Sequence, residues 1–194
     1  YKIFNGNLLY HGCIPTKEDG TFDDVYIDGQ YLSGWKYLKQ VEDKVRKAFY
    51  CEVGSEEQLN ALDYCWYLWS GPKSPLFGKN KMTTFERYFI EDKATHKEHY
   101  NPYYYHIEDR DYCKSILKEF DLDINKSHIV NGHVPVKTHK GESPIKGGGI
   151  LLVIDGGLSK AYHKSTGIGG YTLISNSNMM IIAEPRPFAE VVDS

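Results

Sequence analysis

An α/β fold is predicted for this chain of 194 residues, and three observations predict it. Short apolar runs of strand length alternate with longer amphipathic stretches of helical period. Two of the apolar runs end alike, at residues 8–15 and 128–135, each with a histidine, an adjacent glycine and a proline soon after. A third run, 150–154, is continuously aliphatic, which marks a strand buried on both faces. In α/β proteins ligands and metals gather at the ends of such strands.

The elements follow in order. Asn5-Gly6 between apolar runs is a strong hairpin signal, so residues 2–4 and 8–10 pair and His11 lies at the end of the second strand. Residues 16–33 are polar and turn-rich and read as a surface loop, with a short strand at 25–27. Residues 34–50 carry Trp35, Leu38, Val41, Val45, Ala48 and Phe49 at helical spacing among charges, an amphipathic helix. Ser55 with Gln58 makes a capping box that opens a second helix. Leu59, Leu62, Trp66 and Trp69 are its expected buried stripe, and Ser70-Gly71-Pro72 ends it. Residues 73–101 are irregular. Residues 109–120 form a third helix, with Tyr112, Cys113, Ile116, Leu117 and Phe120 on one face. A strand at 128–130 leads into the His133 loop, and a Lys/Gly/Pro-rich loop spans 138–149. The 150–154 strand ends in Asp155-Gly156-Gly157, and residues 171–183 read as a hairpin.

Composition narrows the function. Apolar residues make up 41 % and charged residues 25 %, enough for a globular core in one domain. Net charge is −3 with no basic block, which argues against nucleic acid as the main partner. No apolar run approaches a membrane span, and no secretory pattern stands at the start. The four cysteines, 13, 51, 65 and 113, include no CxxC pair, so a zinc ribbon is rejected and a reducing, cytoplasmic setting expected. The chain opens on Tyr1 and is expected to be an excised piece of something longer.

His11 and His133 head the candidate site residues. Two readings stand: two imidazole ligands of one ion such as Mn, Fe or Zn, or two ordinary loop histidines among the eight present. Asp155 either places a carboxylate at a strand end or simply forms a turn. Gly167-Ile168-Gly169-Gly170 is not a dinucleotide fingerprint and precedes no helix. Lys137, Lys160, Arg87 and Arg110 are candidate phosphate partners, Lys137 because it follows His133 by four residues. Trp35, Trp66 and Trp69 read as core.

Taken together the segments resemble a known family. His11-Gly12-Cys13-Ile14-Pro15 is similar to the His-Gly-Gly strand end of the calcineurin-like metallophosphoesterases. Trp69-Ser70-Gly71-Pro72 is similar to the Trp-Ser-Asp-Pro segment of their serine/threonine phosphatase branch. Residues 68–79, 82–88, 131–137 and 155–168 more closely resemble the class III bacterial fructose-1,6-bisphosphatases. The resemblance covers nearly the whole chain. It implies the C-terminal part of a four-layer αββα sandwich, with His11 and His133 as the two late ligands of a dinuclear divalent centre, Mn2+ foremost. The family's Asp-x-His, Gly-Asp-x-x-Asp-Arg-Gly and Gly-Asn-His-Asp/Glu motifs are not found in these residues, and the resemblance places them upstream of Tyr1. The branch's phosphate-binding arginine falls near Asn101-Pro102, so Arg87 or Arg110 would have to substitute.

The implied activity is hydrolysis of the 1-phosphate of fructose 1,6-bisphosphate, serving gluconeogenesis, with this stretch alone inactive. The implied partners are the sugar bisphosphate and either further copies of the chain or the missing N-terminal half. Two alternatives stay open: another phosphomonoesterase or a protein phosphatase, and a non-catalytic α/β binding or regulatory domain.

Overall fold

The structure is a computed structural model and describes residues 1–155, 169–176 and 179–185. The α/β class is confirmed. Strands β1 (Lys2–Phe4) and β2 (Asn7–Leu9) form the expected hairpin. Asn5 and Gly6 both take positive φ, 48° and 72°, the geometry whose twist matches the flanking strands. The 16–33 loop holds a second hairpin, β3 (Val25–Ile27) with β4 (Gln30–Leu32). It turns on Asp28-Gly29, again with two positive φ values, 49° and 81°. Asp-Gly is as strong a signal as Asn-Gly, so this strand pair was available from the sequence.

Helix α1 (Gly34–Tyr50) spans the expected range. Its preceding Ser33 makes no side-chain cap; instead Glu119 Oε1 accepts from Trp35 N at 3.0 Å, a cap from a residue distant in sequence. Helix α2 (Glu56–Ser70) starts on Ser55, whose hydroxyl oxygen accepts from Gln58 N. The reciprocal half of the box differs: Gln58 Oε1 accepts from Gly54 N at 2.8 Å, and its Nε2 donates to Ala48 O, tying the start of α2 to the end of α1. Helix α3 (Thr84–Phe89) lies within the irregular 73–101 stretch, and α4 (Tyr103–His106) follows it. Helix α5 (Arg110–Glu119) is capped by Asp109, and Tyr112, Cys113, Ile116, Leu117 and Phe120 are buried as expected.

The stripe assigned to α2 is the main correction. Leu59, Leu62, Trp66 and Trp69 are exposed, Trp66 at 68 %, and Trp35 is exposed as well. The buried residues of α2 are Gln58, Ala61 and Leu68, one position earlier and so about 100° round the helix. Tyr64, on the same side, reaches the buried Tyr37 of α1, with the two phenol oxygens 3.1 Å apart. Spacing was read correctly, but spacing does not say which face finds a partner.

The central sheet runs β1-β2-β5-β7-β6, with β5 (Ile129–Asn131), β6 (Ile145–Lys146) and β7 (Leu151–Val153). Its middle three strands, β2, β5 and β7, are parallel, and the two edge strands are antiparallel to them. Leu8, Ile129 and Leu151 align across this centre and are completely buried. β7 is buried along its length, as a continuous aliphatic run requires. That burial is achieved among the described residues. Strands β8 (Thr172–Ser175) and β9 (Met180–Ala183) form the last expected hairpin. All four cysteines are free thiols. Burial raises Cys13 and Cys113 to about 12, which leaves them chemically quiet. No described helix is long and apolar enough to cross a membrane.

Candidate functional site

Three neighbouring parallel strands deliver the site by one rule. Beyond the last residue of β2 (Leu9), β5 (Asn131) and β7 (Val153), the second residue is His11, His133 and Asp155 respectively. Because the strands are parallel and adjacent, the three residues fall at one end of the sheet: by register Asp155 stands opposite His133, and His11 opposite Gly132. This is the carboxyl end of the strands, where open α/β sheets bind ligands. All three line one cleft of about 670 Å3, together with Tyr10, Asn131 and Tyr171.

Backbone bonds hold the loops against each other. Gly132 N donates to His11 O at 2.9 Å, Ile154 N to Asn131 O at 2.9 Å, and Val136 N to Asp155 O at 3.2 Å. Gly12 lies so close to the 75–76 backbone that a Cβ there would stand 2.3 Å from Pro75 O. Only glycine lets the strand end pass at that distance.

The two histidines meet. His11 Nε2 and His133 Nδ1 are 3.1 Å apart, with ring centroids separated by 5.0 Å. His133 takes a left-handed backbone, φ 68°, uncommon for a non-glycine residue and typical of sites where function overrides local preference. Its other nitrogen, Nε2, lies 2.8 Å from the carbonyl oxygen of Phe77. A carbonyl only accepts, so Nε2 carries the proton and Nδ1 keeps its lone pair toward His11. His11 Nε2–H then donates to it.

The pair suits an ion. Two nitrogens each about 2.0–2.1 Å from a common zinc-like ion can be at most about 4 Å apart, and 3.1 Å lies inside that limit. The Phe77 carbonyl is the outer partner that metal-bound histidines usually have, fixing tautomer and ring angle. The set is incomplete, however: among the described residues no group of three or more His, Cys, Asp or Glu side chains could hold a metal ion. His11 and His133 fit as part of a shell, not as all of one.

Burial pulls the His133 imidazole below its ordinary value of 6.5; the Phe77 carbonyl opposes this, and the His11 ring adds to it. Below 6.5 the unfolded chain therefore binds more protons than the folded one. The stabilisation is complete above 6.5 and is lost as pH falls through the lowered folded value. With ions chelated, Tm measured from about pH 8 down to about pH 5 should fall more steeply in the native chain than in His133→Asn. Parallel curves would show that His133 does not titrate differently on folding.

The basic candidates are dispersed. Lys137 lines a separate, smaller cavity with Glu142 and Lys146, which His133 does not line, and its backbone N–H donates to Glu142. That cavity shares Asn131 and Gly132 with the histidine cleft. Arg87 is not brought to the pair: its guanidinium donates to Thr83 Oγ1 and His96 O, holding α3 against the turn at Lys93–His96. Arg110 lies under Gly148, at the start of α5, also away from the pair. Lys160 lies outside the described residues, as do Gly156, Gly157, Gly167 and Ile168. Phe77 and Asn131 were not among the sequence candidates. Their roles depend on a backbone carbonyl and on an amide whose surroundings appear only in three dimensions.

A parallel sheet centre with two imidazoles and a carboxylate at its carboxyl edge defines an α/β protein with a candidate strand-end site. The family model of the Firmicute fructose-1,6-bisphosphatases matches residues 1–194, and the chain belongs to that family. It is 52 % identical over 191 residues to a fructose-1,6-bisphosphatase class 3 of Clostridium botulinum strain Loch Maree, covering 98 % of this chain. It is equally similar, over the same extent, to a protein of that name from Clostridium novyi strain NT. The chain spans 29 % of the length of these relatives. No solved structure matches it.

Proposed function

We propose that this chain is the C-terminal part of a metallophosphoesterase catalytic domain, layered αββα, that hydrolyses the 1-phosphate of fructose 1,6-bisphosphate. The setting is gluconeogenesis in the cytoplasm. The observation that carries the reading is the facing imidazole pair, His11 and His133, in a chain that resembles class 3 fructose-1,6-bisphosphatases over nearly its whole extent. In this reading both rings ligate one divalent ion, Mn2+, of a dinuclear centre. Such an ion supplies Lewis-acid polarisation of phosphoryl oxygens and lowers the pKa of water.

The chain's own residues prepare that arrangement. The Phe77 carbonyl holds His133 in one tautomer, with the lone pair of Nδ1 aimed into the cleft. The left-handed backbone of His133 turns the ring back toward His11. Asp155 brings negative charge to the same cleft, which favours a cation there. Of the four basic candidates, Lys137 belongs to the cavity adjoining the cleft, and we keep it as the phosphate partner.

The test is a substrate panel in a family enzyme of full length that carries this segment, chelated and then reloaded with Mn2+. Fructose 1,6-bisphosphate should be cleaved in preference to sugar monophosphates and a phosphoserine peptide. Preference for the peptide would move the protein to the protein-phosphatase branch. Binding without turnover of any phosphoester would make it a regulatory domain.

A further inference from the structure

We infer that Asn131 is a positioning residue that clamps the two histidine-bearing loops together, with Tyr103 seating its amide. The role in ion binding rests on the metal reading above; the clamp itself rests on geometry alone.

Asn131 is the last residue of β5, two positions before His133, and is 2 % exposed. Its Nδ2 donates to Gly12 O at 3.2 Å, the carbonyl immediately after His11. The same Nδ2 donates to the Tyr103 phenol oxygen at 2.8 Å. Its backbone carbonyl accepts from Ile154 N, next to Asp155. One residue thus touches the loops after β2, β5 and β7, the three that bear His11, His133 and Asp155.

The amide has only one workable orientation. Turned over, Oδ1 would face the Gly12 carbonyl, setting acceptor against acceptor. With Nδ2 facing Gly12 and Tyr103, Oδ1 is buried with no hydrogen-bond partner among the described residues. Buried polar atoms are nearly always paired, so an orphan at this point requires a reason. Holding the Gly12 carbonyl is that reason: both amide protons are committed to fixing the strand ends.

Tyr103 shows the same commitment. It is fully buried, and its phenol oxygen lies 2.6 Å from that of Tyr10, the residue before His11. Tyr103 accepts from Asn131, and its bond to Tyr10 can run in either direction. The chain Asn131–Tyr103–Tyr10 therefore returns to the His11 loop by a second route. A purely apolar filling would pack this volume as well, but it could not set the spacing of two loops that, among the described residues, share one backbone bond, Gly132 N to His11 O.

The experiment compares the 194-residue chain with its Asn131→Ala and Tyr103→Phe variants, well below their melting temperatures. In ion-free chain labelled with 15N-histidine, the native protein should show the His133 ring protonated at Nε2 and ring-to-ring contacts between His11 and His133. Asn131→Ala should lose those contacts while its other amide signals stay native. Mn2+ affinity, measured in a full-length family enzyme carrying the same substitution, should fall about 10–100-fold, the range for outer-shell changes. Tyr103→Phe, which removes the hydroxyl and keeps the ring, should lose part of both effects, and it decides the matter if Asn131→Ala does not fold. Native ring contacts and native Mn2+ affinity in the folded variants would overturn the clamp. Paired rings in the native chain with no Mn2+ binding by the full-length family enzyme would sink the metal reading instead, and the ring contacts in the variants would still decide the role of Asn131.

Discussion

His133→Asn in a full-length family enzyme should lower kcat for fructose 1,6-bisphosphate by well over about a hundredfold, since losing a ligand should exceed the 10–100-fold typical of outer-shell changes. Folding should be nearly unaffected. Asparagine is chosen because position 133 has φ 68°, a left-handed backbone that asparagine tolerates. Alanine there would add the roughly 1–2 kcal/mol that left-handed backbone imposes on an ordinary residue, and would confuse chemistry with strain. The bond lost to the Phe77 carbonyl contributes about 0.5–1.5 kcal/mol. That is a few degrees in Tm for a domain of this size. Steady-state kinetics with saturating Mn2+, beside a thermal melt, give both readings. A near-native kcat would show that the ring is dispensable, and the metal assignment would fail.

The 194-residue chain by itself should turn over no fructose 1,6-bisphosphate, with either Mn2+ or Mg2+. The reason is the count of ligands. The described residues bring together two imidazoles and place Asp155 nearby, and they form no group of three or more that could hold an ion. Catalytic sites need an ion fixed by a nearly full protein shell with one position open. Rates per active site comparable to those of a full-length relative would mean that these residues contain a complete centre and that the ligand argument is wrong.

Much of the fold could be read from sequence because local chemistry decides it. Asn5-Gly6 can hardly be anything but a tight turn, Ser55 and Asp109 announce helix starts, and the 150–154 run suits a central strand. The orientation of α2 could not be read, because Leu59, Leu62, Trp66 and Trp69 have the same period whether covered or bare. The site divides in the same way. Histidines at two similar strand ends were visible as a pattern, but their meeting depends on β2 and β5 being parallel, adjacent and in register. Asp155 was left between two readings until β7 proved to be the next strand along. Asn131 resembled an ordinary residue before a glycine, and no local signal marks an amide whose purpose is to hold a distant carbonyl.

The bare stripe on α2 has an optical consequence. The chain has three tryptophans, and all are exposed: Trp35 at 39 %, Trp66 at 68 % and Trp69 at 59 %. Trp66 and Trp69 stand edge to face, 5.0 Å between centroids, on the open side of the helix. Intrinsic fluorescence from the folded chain is therefore dominated by indoles in contact with water, and unfolding changes its colour little. A blue shift would report something else: the covering of that helix face by another surface. The same spectrum that serves poorly as a folding probe is thus a built-in reporter of docking at residues 66–69.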